Sequence, residues 1–278
     1  RATSIPASII LRKVGPSCDA GPIVAMILVR RAICSTVPRP KKKTREISQC
    51  SPDRQQRFLS HFGAPNLLRS SQVELILVRH ARPEHIETSD GSPADPPLAE
   101  IGHQQAAAVA RWLSEEQIDF LYSSPMRRAR QTAMPLEELC GLVANVREEI
   151  SEFDRDSSAY VPMEVLKEIN RPAWERFASG KMSESFHSLT VWFSGVVTAL
   201  EEIVEEHGGQ RVAVVCHGGV INAYLAHCLN FDSDAFMKFD VDYSSVTRVL
   251  ASSRGHRSVR TVNETTHFRG SPHLSIRD

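Results

Sequence analysis

The sequence predicts an α/β fold with three layers, α/β/α, around a mostly parallel central sheet. Two runs, Val73-Glu74-Leu75-Ile76-Leu77-Val78-Arg79 and Arg211-Val212-Ala213-Val214-Val215-Cys216, are almost continuously apolar and rich in β-branched residues. That is the pattern of strands buried on both faces, as in a parallel sheet. Long segments with apolar residues at helical spacing lie between and beyond these runs, so strands alternate with helices. Each run also ends in a histidine, His80 and His217. Ligands of open α/β sheets bind beyond the carboxyl ends of the strands.

The remaining elements follow in order. Pro83 to Pro97 is turn-rich, with Gly91, further prolines and several acids. Leu98 to Glu116 is Ala-rich with helical periodicity, and Asp119–Ser123 reads as a short strand. Met126 to Leu139 reads as a second helix, interrupted or shifted at Pro135. Leu142–Val146 is expected to be a third strand, and 147–185 mixes short helical and loop signals as an insertion would. Phe186 to His207 reads as a long helix stopped by Gly208-Gly209. After the second buried strand come His217-Gly218-Gly219, a helix from Val220 to Leu229, and two strands, Ser245–Ala251 and Arg257–Val262.

The formal net charge is zero, yet it is unevenly spread. Residues 1–50 carry ten Lys/Arg and two acids, a balance of +8, so the remainder stands at −8. Residues 1–71 lack sustained periodicity and contain the basic run Pro38-Arg39-Pro40-Lys41-Lys42-Lys43. Such a segment is expected to be disordered, or a non-native extension. Three roles stay open for it: a solvated tail without function, a targeting segment, or a weak binder of anionic surfaces through Lys41–Arg45. The chain begins on Arg1 rather than Met, which suggests a fragment or processed product. The six cysteines form no C-x-x-C pair, and Cys216 and Cys228 read as buried free thiols, which fits a reducing, cytoplasmic setting. The longest apolar run, Ile23–Val29, is far short of the roughly 20 residues that span a bilayer.

The chemistry gathers at strand ends. Arg79 precedes His80, and Ser123-Ser124-Pro125-Met126-Arg127-Arg128-Ala129-Arg130-Gln131-Thr132-Ala133 carries a strand end into a helix with three arginines. Histidine, guanidinium and a helix start together suit a phosphate group. Taken singly, a histidine at a strand end is more often structural, Arg128 could cap a carboxylate and Glu152 could be surface charge.

Four blocks in order resemble the histidine phosphatase superfamily, also called phosphoglycerate-mutase-like. They are Arg79-His80-Ala81, similar to its Arg-His-Gly signature; Asp95–Gly102, which leads into its first helix; Ser123–Ala133; and Val214–Val220, its second-histidine block. The resemblance runs from about Val73 to His267. It implies a phosphoglycerate-mutase-like fold and phosphomonoester hydrolysis through a phosphohistidine on His80, without a metal or organic cofactor. Arg79, Arg128 and His217 would bind the phosphate, with His217 also counted among the catalytic residues. Arg127 and Arg130 would be surface charges. The resemblance implies a general acid/base Glu shortly after the third strand, and Ile150-Ser151-Glu152 fits that place, with Glu148, Glu149, Asp154 and Glu84 as rivals. The alternatives are a mutase that returns phosphate to another hydroxyl of the same molecule and a non-catalytic phospho-ligand binder, the latter because two features depart from the family. Ala81 stands where Gly is usual and would narrow the approach to phosphate, and Ile86 occupies the place of a phosphate-binding Asn.

The expected organisation is therefore a domain over 72–270 with a cap-like insertion at about 153–185, and a tail at 271–278. Arg82, Arg155 and Tyr160 are the candidates for substrate contact. The expected partner is a small phosphorylated substrate. The acidic domain argues against nucleic acid, and a homodimer is compatible with the sequence. A chain begun at residue 72 is expected to fold cooperatively, checked by circular dichroism and urea denaturation; loss of folding would refute the disordered-tail reading.

Overall fold

The computed structural model describes residues 72–178, 186–231 and 236–275. The expectations for 1–71, for the 179–185 part of the insertion and for the last three residues of the tail lie outside the described residues.

The strands are β1 (Gln72–Arg79), β2 (Ile86–Glu87), β3 (Phe120–Ser123), β4 (Asn145–Val146), β5 (Ala159–Tyr160), β6 (Arg211–Cys216), β7 (Val246–Ser252) and β8 (Arg257–Glu264). The helices are α1 (Glu100–Ser114), α2 (Arg127–Cys140), α3 (Met163–Ile169), α4 (Arg171–Ala178), α5 (Phe186–Glu206) and α6 (Gly218–Leu229). Six strands form one sheet in the order β4-β3-β6-β1-β7-β8. The β4-β3, β3-β6 and β6-β1 pairs are parallel, and only β7 runs against the others.

Alternate residues of β1 face opposite layers. Val73, Leu75 and Leu77 pack with Val196, Leu200 and Ile203 of α5 and with Val220, Ile221, Tyr224 and Leu225 of α6. Ile76 and Val78 pack with Val109 and Leu113 of α1 and with Ala129, Ala133 and Leu136 of α2. Each such fully buried aliphatic side chain contributes about 1.5–3 kcal/mol of transfer free energy. The central strands are covered on both faces, which is why their sequences are apolar at most positions rather than alternating.

Several boundaries differ from the sequence expectation. α2 runs through Pro135 without a break. A proline at this depth forfeits one backbone bond, which the buried Ala129, Ala133 and Leu136 face offsets. The third strand is confined to Asn145–Val146, because only Tyr122 and Ser123 offer it partners. α6 begins at Gly218 instead of Val220, which makes His217 its N-cap residue. Cys228 is half-buried and not fully buried like Cys216.

Two features aim the site. In register, Arg79 lies beside Cys216 and Ser123 beside Val215, so β1, β6 and β3 end together. The loop after β1 is clamped onto the start of α1: the Ala99 N–H donates to the Arg82 carbonyl, and the Arg82 N–H donates to Gln105 Oε1 at 2.9 Å. Gly102 allows this approach, since a Cβ there would run into the Arg82 carbonyl oxygen. Gly102→Ala is expected to destabilise the fold by roughly 1–3 kcal/mol, read from the urea midpoint.

Candidate active site

His80 is buried at the end of β1, and its backbone N–H donates to the Cys216 carbonyl at 2.8 Å. Its Nδ1 lies 2.8 Å from the Ala81 carbonyl oxygen. A carbonyl can only accept, so Nδ1 carries the proton and Nε2 keeps its lone pair. Burial, then the positive charges of Arg128 and Arg79, hold the His80 imidazole well below its usual range, against the opposing Ala81 carbonyl. The ring is therefore neutral and nucleophilic at neutral pH.

The second strand-end histidine faces it. The His80 and His217 rings are 5.1 Å apart, and His217 Nε2 lies 2.7 Å from Ser124 Oγ at the end of β3. His217 Nδ1 is buried with no hydrogen-bond partner among the described residues. Burial, with Arg128, His80 and Arg79 behind it, also depresses the His217 pKa.

Arg128 is the only one of the three helix arginines that is fully buried; Arg127 is exposed. Arg130 is half-buried against Glu137 at 3.4 Å, and so is not the surface charge expected. Arg128 Nη2 meets Asp154 Oδ1 at 3.3 Å, while Nε and Nη1 are buried without partners among the described residues. The Tyr160 ring covers its guanidinium at 4.6 Å, and Tyr243 covers that of Arg79 at 3.9 Å. Arg79 Nη1 also donates to the Val241 carbonyl, so this arginine is held from the loop before β7.

Glu152 follows a short 3-10 turn, Glu148–Ile150, and is buried. Its Oε2 accepts the Gly219 N–H at 2.8 Å, at the first turn of α6. Trp192 Nε1 donates to the Ser151 carbonyl at 2.8 Å and pins this segment to α5. Burial first, and then the charge of Asp154, raise the Glu152 pKa to about 7, against the Gly219 and Phe153 N–H groups and Arg128. A carboxyl poised there can give a proton and take it back.

Among the sequence candidates, His80, His217, Arg79, Arg128, Glu152 and Tyr160 converge. The β2–β5 ribbon, with Ile86 opposite Tyr160, brings the Tyr160 ring to 6.5 Å from His80. Ile86, at the place where the family often has an Asn, thus pairs in this ribbon. Arg155 is not brought in: it is exposed and pairs with Glu148 and Asp156. Arg82 is half-buried and lines a separate groove with His85, Gln104, Val165 and His273. The rival acids Glu84, Glu148 and Glu149 are exposed. The Ala81 methyl sits in a small cluster with Leu98 and Ala106, so it packs inward.

Sequence reasoning assigned no role to Ser124, Thr132 or Tyr243. Thr132 Oγ1 accepts the Ala81 N–H at 2.9 Å and donates to the Arg128 carbonyl at 2.7 Å, joining two of the blocks. Ser124 and Thr132 lay inside the Ser123–Ala133 block and were legible there as polar residues in a buried segment. Tyr243 had no local signal. Among the described residues, no group of three His, Cys, Asp or Glu is placed to hold a metal.

A neutral nucleophilic imidazole, buried cationic donors and a carboxyl titrating near neutrality define a phosphoryl-transfer site. The family model for the histidine phosphatase superfamily (branch 1) matches residues 75–265, and the chain belongs to that superfamily and is a phosphatase. It is 30% identical over 201 residues to phosphoserine phosphatase 1 of Hydrogenobacter thermophilus, covering 70% of this chain and 94% of that protein. It is 32% identical over 188 residues to phosphoglycerate mutase-like protein 4 of Arabidopsis thaliana, covering 61% and 81%. Its fold matches that of a phosphoserine phosphatase from Entamoeba histolytica solved with phosphoserine, with a TM-score of 0.54 at 23% identity, over 70% of this chain and 98% of that one. A mycobacterial glucosyl-3-phosphoglycerate phosphatase gives 0.55 at 22% identity, over 69% and 99%.

Gly219 is the most exacting position in the site, since a Cβ would collide with the Glu152 carboxylate and the Phe153 ring. Gly219→Ala is expected to displace Glu152 and lower phosphatase kcat about 100-fold. A melting temperature within a few degrees of wild type, by about 5 °C at most, would show that the loss is local.

Proposed function

We propose that this chain hydrolyses small phosphomonoesters through a phosphohistidine on His80, with Glu152 as general acid and then base. The observation that carries the reading is the set of buried, uncommitted polar atoms around His80: Arg128 Nε, Arg128 Nη1 and His217 Nδ1. Buried donors without partners cost about 1–3 kcal/mol each, and a phosphate dianion would satisfy them together.

In the first step His80 Nε2 attacks phosphorus in line. The bond to the ester oxygen breaks as the Glu152 carboxyl donates its proton to that oxygen, releasing the alcohol. In the second step the Glu152 carboxylate takes a proton from water, whose oxygen attacks phosphorus. The P–N bond breaks, and inorganic phosphate leaves with His80 neutral again. Arg79, Arg128 and His217 hold the equatorial oxygens as charge spreads over them.

The relatives named for phosphoserine and for glucosyl-3-phosphoglycerate support a small phosphorylated metabolite as substrate. Cys140, Cys216 and Cys228 are free thiols, which supports a reducing compartment, the cytoplasm. No helix among the described residues is long and apolar enough to cross a membrane. Exposed Val143 and Val146 at the free edge of the sheet support a homodimer paired along β4.

Turnover of p-nitrophenyl phosphate and of a panel including phosphoserine and 3-phosphoglycerate tests the reading. His80→Ala is expected to lose roughly 10³-fold or more in kcat, and undiminished hydrolysis would sink the phosphohistidine. The first step needs Glu152 protonated, so kcat/KM is expected to hold on the acid side and fall as pH rises through about 7. Isotopic phosphate retained on the organic product would mark a mutase instead, and no turnover across the panel would mark a binder.

A further inference from the structure

We infer that Asp154, two residues beyond Glu152, is a positioning residue of this site: it anchors the Arg128 guanidinium at Nη2 and places a second negative charge beside Glu152. The inference deepens the proposed mechanism and rests on the reading of Glu152 as the acid.

The geometry starts with Arg128. A fully buried guanidinium is costly without a counter-charge. Asp154 is the one carboxylate paired with it among the described residues, at 3.3 Å from Nη2. The remaining atoms, Nε and Nη1, stay uncommitted and buried. One carboxylate thus stabilises the guanidinium in the empty site and limits how it can turn, while leaving donors for an incoming phosphate. Asp154 contributes to local folding through its backbone, since its carbonyl accepts the Ser157 N–H at 2.8 Å. Its side chain pairs with Arg128.

The second consequence concerns the proton. The groups that face Glu152 come from four elements. Arg128 belongs to α2, Cys216 ends β6, the Gly219 N–H opens α6, and Asp154 lies on its own segment. Tyr160 of β5 faces Asp154. Burial keeps the Cys216 thiol and the Tyr160 hydroxyl protonated, and keeps His80 and His217 neutral. The charges acting on Glu152 are therefore Arg128, which favours its ionised form, and Asp154, which opposes it; burial raises the Asp154 pKa as well, against its ion pair with Arg128, so the two carboxyls titrate as a pair. Asp154 offsets the guanidinium that would otherwise strip the acid of its proton before the leaving oxygen needs it.

Asp154→Asn removes the opposing charge and leaves Arg128 unbalanced, and both changes favour ionised Glu152. The alkaline limb of kcat/KM is expected to move to lower pH by about half a unit or more. At slightly alkaline pH the loss should be several-fold larger for phosphoserine, a poor leaving group, than for p-nitrophenyl phosphate. Asp154→Glu keeps the charge and should hold the limb near its wild-type position. Asp154→Ser serves as a second neutral variant where Asn does not fold. A limb that stays in place in the neutral variants, with rate lost equally at every pH and on both substrates, overturns the inference and leaves a purely structural role. Glu152→Gln separates the two layers. If the limb survives in that variant, the acid assignment itself has failed. If it disappears there but does not move in Asp154→Asn, only the role of Asp154 has failed.

Discussion

The buried guanidinium of Arg128 is the constraint on which the site depends. It lies at the first turn of α2, closed from solvent, with Asp154 on one nitrogen and the Tyr160 ring over its face. Its charge depresses the proton affinity of both His80 and His217, and so helps keep the two imidazoles neutral. The same charge pulls the Glu152 pKa down while burial and Asp154 push it up. Burial in one low-polarity pocket thus lowers the proton affinity of the two imidazoles and raises that of the Glu152 carboxyl, while the Arg128 charge lowers all three.

Such an arrangement requires a rigid frame, because a shift of about 1 Å at the reacting atoms costs much of the benefit of orientation. Short polar links supply it. Thr132 ties the Ala81 N–H to the Arg128 carbonyl, and Ser124 ties β3 to His217. Asn222 is buried in α6, where its amide donates to the Gly218 and Phe239 carbonyls and its oxygen accepts the Lys238 and Phe239 N–H groups. That latch carries the chain to Val241, whose carbonyl holds Arg79. Glycine at 219 removes the one carbon that would push Glu152 out of place.

The links also explain why the insertion belongs to the site. Ile86 pairs with Tyr160 across β2 and β5, and the Thr88 and Ala94 N–H groups donate to the Ser158 and Ser157 carbonyls. Through these contacts the loop after His80 and the segment after Glu152 are joined over the strand ends. Tyr160 reaches His80 and Arg128 from there. Arg155, five residues earlier, turns outward to Glu148.

Much of this was legible in the linear chain. The two apolar strands, their terminal histidines, the choice of Arg128 over Arg127 and the spacing to Glu152 are local patterns. Periodicity and short motifs report them because burial on both faces of a strand, or one face of a helix, constrains neighbouring residues together. Tyr243, the partnership of Asp154 with Arg128 and the inward packing of Ala81 were not legible. Each depends on segments far apart in sequence: the antiparallel return into β7, the turn after Glu152 and the docking of α1 beneath the first loop. The sequence alone determined which residues could do chemistry and which strand ends carry them. Only the tertiary structure decided which charges share a low-dielectric pocket, because that sharing exists between side chains brought together across the sheet.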